Sequence, residues 1–178
     1  MFPAEGLYGL GADATSPSAV ATLIEVRGRE EGKPILVLVS DLAMVSTVAR
    51  EVPPAAARLA ARFWPGPLTL VLPARAGLPP ALTAGTGTIG VRLTGAPVAR
   101  VIVGGLGRPV TAPSANPPGA PPPRTVDVAR GYFGDRVAVY VDGGALVGSG
   151  STVAAVDARG VHVLREGPVS RQAIEEAV

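Results

Sequence analysis

Four short segments concentrate the residues with chemical potential: Phe63-Trp64-Pro65-Gly66-Pro67-Leu68-Thr69, Gly90-Val91-Arg92, Ala112-Pro113-Ser114-Ala115-Asn116 and Gly150-Ser151-Thr152-Val153. Each sets a rigid or small-residue turn beside an apolar run that reads as a strand. Small hydroxyls (Thr88, Ser114, Ser151, Thr152), open backbone amides and one Arg are therefore expected at strand ends, where α/β folds hold phosphate-bearing ligands. Five cations could meet an anion: Arg27, Arg29, Lys33, Arg92 and Arg165. Arg92 lies between Val91 and Leu93, so its guanidinium either faces a cleft or points to solvent. Its planar two-donor fork suits a carboxylate. Arg27 and Arg29 can equally compensate a helix C-terminus, and Asn116 can equally satisfy turn backbone.

Other chemistries find little support. A Ser nucleophile needs a His base, yet the single His162 sits in the alternating run Val161-His162-Val163 and reads as a strand residue. No His pair or close Asp/Glu cluster has metal-ligand spacing. The absence of Cys excludes disulfides and thiolate metal sites. Gly85-Thr86-Gly87-Thr88-Ile89-Gly90 matches the dinucleotide fingerprint, but a strand follows it where a helix is needed, and no acid lies about 20 residues on. Gly32-Lys33 precedes Pro34, so there is no Walker A motif. The Trp64 segment reads as a packing anchor that turns the chain into a strand.

The elements that must position these residues follow from periodicity and caps. Helices are expected from Ser16 with Pro17 in the first turn, over Leu42–Arg50, Pro54–Phe63, Pro97–Val103 and Val126–Tyr132, and from Ser170. Strands are expected at Ile35–Val39, Leu68–Leu72, Thr88–Leu93, Pro109–Ala112, Val137–Val141, Thr152–Val156 and Val161–Leu164. Strands and helices alternate early and strands cluster late, which predicts an α/β class with a twisted, mostly parallel or mixed sheet and flanking helices. Residues 117–123 form a stiff Pro-rich loop. We expect one domain over 1–178.

The chain is 47% hydrophobic with a net charge of +2. Residues 52–126 contain seven Arg and no Asp or Glu, while both flanks are net acidic. That asymmetry predicts a positive cleft for an anionic ligand such as a nucleotide or RNA; scattered solvated charges are the plainer alternative, since no basic cluster of four appears. We see no signal peptide and no apolar run of about 20 residues, so no membrane span is expected. A cytoplasmic location is compatible with the lack of Cys.

Together with Pro3-Ala4-Glu5-Gly6-Leu7-Tyr8-Gly9-Leu10 and Arg27-Gly28-Arg29, the four segments resemble, from Pro3 to about Gly167, the YrdC/TsaC family of threonylcarbamoyl-AMP synthases. The resemblance implies a YrdC-like fold and a nucleotidyltransferase that joins ATP, L-threonine and bicarbonate (or CO₂), releasing pyrophosphate. Its product would feed the machinery that makes t6A beside the anticodon of tRNAs reading ANN codons; contact with tRNA or double-stranded RNA is a further implied partner. By motif, Arg27, Arg29 and Lys33 are the implied catalytic cations. Arg29, Lys33, Thr88, Ser114, Asn116, Pro122 and Arg165 would bind ATP, with Pro122 on a covering loop. Gly6, Arg92, Ala112 and Ser151 would line the threonine site. Mg²⁺ would ride on the ATP phosphates, with no metal held by the protein itself.

Departures from the family pattern set the alternatives. Ala4 and Gly6 stand where the family usually or often has Thr, Arg27 where Lys is common, and Leu38 where some relatives have His. Glu166 replaces a Pro and would set a negative charge beside Arg165. The family's first helix and edge strand, and the extra C-terminal domain of its longer members, are not evident. A paralogue that binds nucleotide without this reaction, or an RNA-binding accessory protein of translation, are the competing readings.

Overall fold

A computed structural model describes residues 1–28 and 32–178. Its main sheet runs β6-β3-β5-β4-β7-β8, with β3 Val37–Val39, β4 Leu68–Pro73, β5 Thr88–Leu93, β6 Val110–Thr111, β7 Thr152–Asp157 and β8 Gly160–Arg165. The pairs β3/β5 and β4/β7 are parallel; β3/β6, β4/β5 and β7/β8 are antiparallel. The sheet is thus mixed, with antiparallel pairs outnumbering parallel ones instead of the reverse. One cause is local: only Ala158 and Arg159 separate β7 from β8, and Gly160 takes a φ of 122°, so the chain folds straight back as a hairpin.

Strand alternation divides the two faces. Leu68, Leu70 and Leu72 of β4 and Ile89, Val91 and Leu93 of β5 enter the main core with Leu59, Leu82 and Ile174. Each such buried side chain contributes roughly 1.5–3 kcal/mol. The intervening residues of the same strands are left for the other face. There Leu38 is buried with Phe2, Ala99 and Val103, so the position that is His in some relatives is core in this chain.

The caps read from sequence are in place. Ser16 accepts from the Ala19 amide ahead of α1 (Pro17–Arg27), and Ser170 from Ala173 ahead of α7 (Arg171–Glu175). α3 (Pro54–Phe63) and α6 (Val126–Phe133) lie where expected; α5 (Pro97–Leu106) runs three residues further, to the left-handed Gly107. A single turn, α4 (Pro80–Thr83), was not expected. The expected 42–50 helix is only α2 (Leu42–Val45). Ser46 and Thr47 turn their hydroxyls onto the Ala43 and Met44 carbonyls at 2.8 and 2.6 Å, and Arg50 N then bonds Pro73 O at 2.9 Å, a local competition that ends helices.

Val137–Val141 is not a strand. After the turn at Gly134–Arg136 the chain lacks a neighbouring strand; Val139 is exposed, and Val141 N bonds Met1 O at 3.0 Å. Instead, an unexpected hairpin of two two-residue strands forms, β1 (Phe2–Pro3) and β2 (Tyr8–Gly9). Trp64 anchors as expected: it packs on the main core and donates Nε1–H to Leu68 O at 2.6 Å. Among the described residues no helix is long and apolar enough to cross a membrane.

Candidate active site

Against the second face of the sheet lies a cavity of about 960 Å³. Thr69, Val71, Thr88, Gly90 and Arg92 line it, every second residue of β4 and β5, with Ser151 and Val153 from β7 and its approach. The opposite walls are the C-terminal turn of α1 with Arg27, the segment around Lys33, and the loop bearing Ala112, Ser114, Asn116 and Pro122; Arg165 closes the end of β8. Ten of the twelve residues singled out from sequence thus share one space. Arg29 lies outside the described residues.

Gly6 is the exception. Its neighbours Glu5 and Leu7 line the cavity, but Gly6 does not. It adopts a φ of +73°, and a Cβ there would come within 2.7 Å of Gly148 Cα. The position is a close crossing of two backbone segments.

Two of the cations are held by backbone carbonyls as well as facing the cavity. Arg27 Nε donates to Ser114 O at 2.9 Å, tying α1 to a loop 87 residues away. Arg165 donates through Nη2 and Nε to Ser151 O at 2.7 and 3.2 Å. Ser151, itself buried, shares a 2.8 Å hydrogen bond with Thr69. Arg92 is 4% exposed, with Nη2 2.8 Å from Glu5 Oε2. Burial draws its guanidinium below its ordinary pKa, Glu5 opposes that, and nearby Arg165 adds to it. Arginine stays cationic under such shifts.

Glu5 is the single carboxylate among the described cavity-lining residues, against Arg27, Lys33, Arg92 and Arg165. The expected positive cleft is therefore present, but only Arg92 comes from the acid-free middle of the chain. The other three come from the acidic flanks, because a cavity collects residues by topology and not by sequence neighbourhood. Glu166 adds no charge to it: that side chain accepts from Arg171 N at 3.1 Å, at the start of α7. Thr152 is also turned away, accepting from Gly167 N and Val169 N and donating to Val169 O. Asn116 lines the cavity, yet its Nδ2 is spent on Pro117 O and Ala120 O at 3.1 and 2.7 Å, bracing the loop that carries Pro122. His162 is exposed and pairs with Asp157 at 3.3 Å, as a strand residue.

Residues 1–167 match the Sua5/YciO/YrdC family, described under the heading telomere recombination. The chain belongs to that family. It is 36% identical over 179 residues to threonylcarbamoyl-AMP synthases of Pyrococcus abyssi and of Bacillus subtilis, covering 99% of this chain and 52% of each relative. A putative threonylcarbamoyl-AMP synthase of Mycobacterium tuberculosis is 37% identical, covering 100% and 82%. The chain thus spans about half the length of the first two relatives. The structure of P. abyssi Sua5 complexed with L-threonine superposes with a TM-score of 0.93 at 35% identity, over 99% of this chain and 52% of that one. Escherichia coli YciO shares the fold, with a TM-score of 0.86 at 24% identity, over 97% and 84%.

Two cavity residues of this family member escaped the sequence reading. Glu5 was visible only as part of a motif; its partners, Arg92 on β5 and Thr94 and Gly95 just after it, lie 87 to 90 residues on. Thr69 read as strand, and nothing in the apolar run around it announced that Ser151 would be its partner.

Proposed function

We propose that this chain makes threonylcarbamoyl-AMP from L-threonine, bicarbonate (or CO₂) and ATP, releasing pyrophosphate, as a nucleotidyltransferase. The observation that carries the reading is one cavity joining Arg27, Lys33 and Arg165 to a buried Arg92 and a Thr69–Ser151 hydroxyl pair. Where bicarbonate is the carbon source, it takes up a proton and leaves as CO₂ and water. The threonine ammonium then loses one proton, its nitrogen bonds to the carbon of CO₂, and a second proton departs to give the carbamate. A carbamate oxygen then attacks the α-phosphorus, and the P–O bond to pyrophosphate breaks. No step demands a protein nucleophile; positioning and charge stabilisation suffice.

In this scheme Arg92 takes the threonine carboxylate and the Thr69–Ser151 pair lies beside the bound amino acid. Lys33, Arg27 and Arg165 meet the phosphates, and the Pro122 loop covers the nucleotide. We assign Mg²⁺ to the ATP phosphates: the cavity's one described carboxylate already faces Arg92, Thr94 and Gly95. The product would pass to the t6A transferase machinery. A pyrophosphate-release assay tests the reading: release must require ATP, L-threonine and bicarbonate together. ATP binding without threonine-dependent release would instead favour the nucleotide-binding paralogue, a reading that Ala4 supports by leaving the cavity wall without the family's usual hydroxyl.

A further inference from the structure

We propose that Glu5 is a positioning residue that fixes the Arg92 guanidinium for an amino-acid carboxylate, an inference that rests on the reading above. A carboxylate in a cavity built for anions opposes ligand binding by charge alone, so its presence there calls for a compensating role. Its bonding supplies one. Glu5 Oε1 accepts from Thr94 Oγ1 at 2.6 Å and from Gly95 N at 2.8 Å. Its other oxygen, Oε2, lies 2.8 Å from Arg92 Nη2. Arg92 lies on β5 and Thr94 just past its end, and both meet the same carboxylate. The end of β5 clamps Glu5, and Glu5 in turn holds the Arg92 side chain that the same strand carries.

The hold is not a two-pronged fork. Arg92 Nε is enclosed without a hydrogen-bond partner, and Glu5 Oε2 touches Nη2 without an aligned hydrogen bond. The guanidinium is neutralised and oriented while its bidentate capacity is not spent on Glu5. Two hydrogen bonds hold Glu5 in place, so an incoming carboxylate meets a set Arg92 instead of competing for a loose one. Without Glu5, Arg92 would be a 4% exposed cation left with the like charge of Arg165 nearby, and it would turn away from that repulsion.

The test uses isothermal titration with L-threonine alongside steady-state kinetics and thermal melting. Glu5→Gln keeps an oxygen for Thr94 and Gly95 but removes the charge. We expect it to melt within a few degrees of the parent, to raise the threonine Kd and KM about tenfold, and to leave the ATP KM unchanged. In a double-mutant cycle with Arg92→Lys, the second change should add little, because both act on one contact. Should Glu5→Gln not fold, Thr94→Val, which frees Glu5 Oε1 but keeps the ion pair, should raise the threonine KM by a smaller factor with the ATP KM fixed. An unchanged threonine Kd in whichever of these variants folds, or full additivity with Arg92→Lys, overturns the proposal and leaves the function standing. A parent protein that binds no threonine overturns both.

Discussion

Arg92 and Lys33 sit in the same cavity but are assigned to different substrates, and single substitutions should separate them. Arg92→Lys keeps a charge and loses the planar fork; a charge-assisted bond is worth roughly 1.5–3 kcal/mol. Threonine response should fall by about one to two orders of magnitude, with ATP response little changed. Lys33→Ala should show the converse. Titrating threonine at saturating ATP, then ATP at saturating threonine, reads both, and equal loss of both substrates in both variants would refute the assignment. Arg92 was legible in sequence because a guanidinium inside Val91-Arg92-Leu93 has few places to go. Glu5 was not, because its role is made by contacts across the fold. The backbone crossing at Gly6 was hidden for a related reason: a motif position says nothing about Gly148 lying against it.

At the level of elements, a single buried hydroxyl fastens β7 to the chain that follows β8. Thr152 accepts from two amides, Gly167 N and Val169 N, and donates to Val169 O. Thr152→Val preserves shape and orphans the buried Val169 amide and carbonyl, each at about 1–3 kcal/mol, so we expect a loss of roughly 2–6 kcal/mol in urea unfolding with little change in slope. Longer helices with a Ser cap or a Pro in the first turn, α1, α3, α5 and α7, were legible to within a few residues, since those signals are local; the single turn α4 also opens on Pro but is too short for periodicity to show. The 42–50 segment was not, because Ser46 and Thr47 decide it through backbone carbonyls that no periodicity reveals. Val137–Val141 alternates like a strand, but a strand also needs a partner edge, and the topology offers none.

Across the whole molecule, Tyr8 joins regions that the sequence keeps far apart. It is fully buried, and burial raises its phenol pKa above the ordinary 10.0. The folded protein therefore retains that proton where the unfolded chain releases it, so stability is level below pH 10 and falls as pH rises beyond it. Melting temperature against pH should show this fall in the parent and a shallower one in Tyr8→Phe. The Tyr8 hydroxyl donates to Gly144 O at 2.8 Å and accepts from Gly143 N at 2.9 Å, while Leu146 N bonds Arg124 O at 2.8 Å. The irregular 137–149 run is thus stapled from Val141 to Leu146. In deuterium exchange, the amides of Val141, Gly143 and Leu146 should be protected on the timescale of whole-chain opening, as strand amides are. Tyr8→Phe should release Gly143 first, and segmental labelling would register as a core element what its backbone conformation alone would class as a loop.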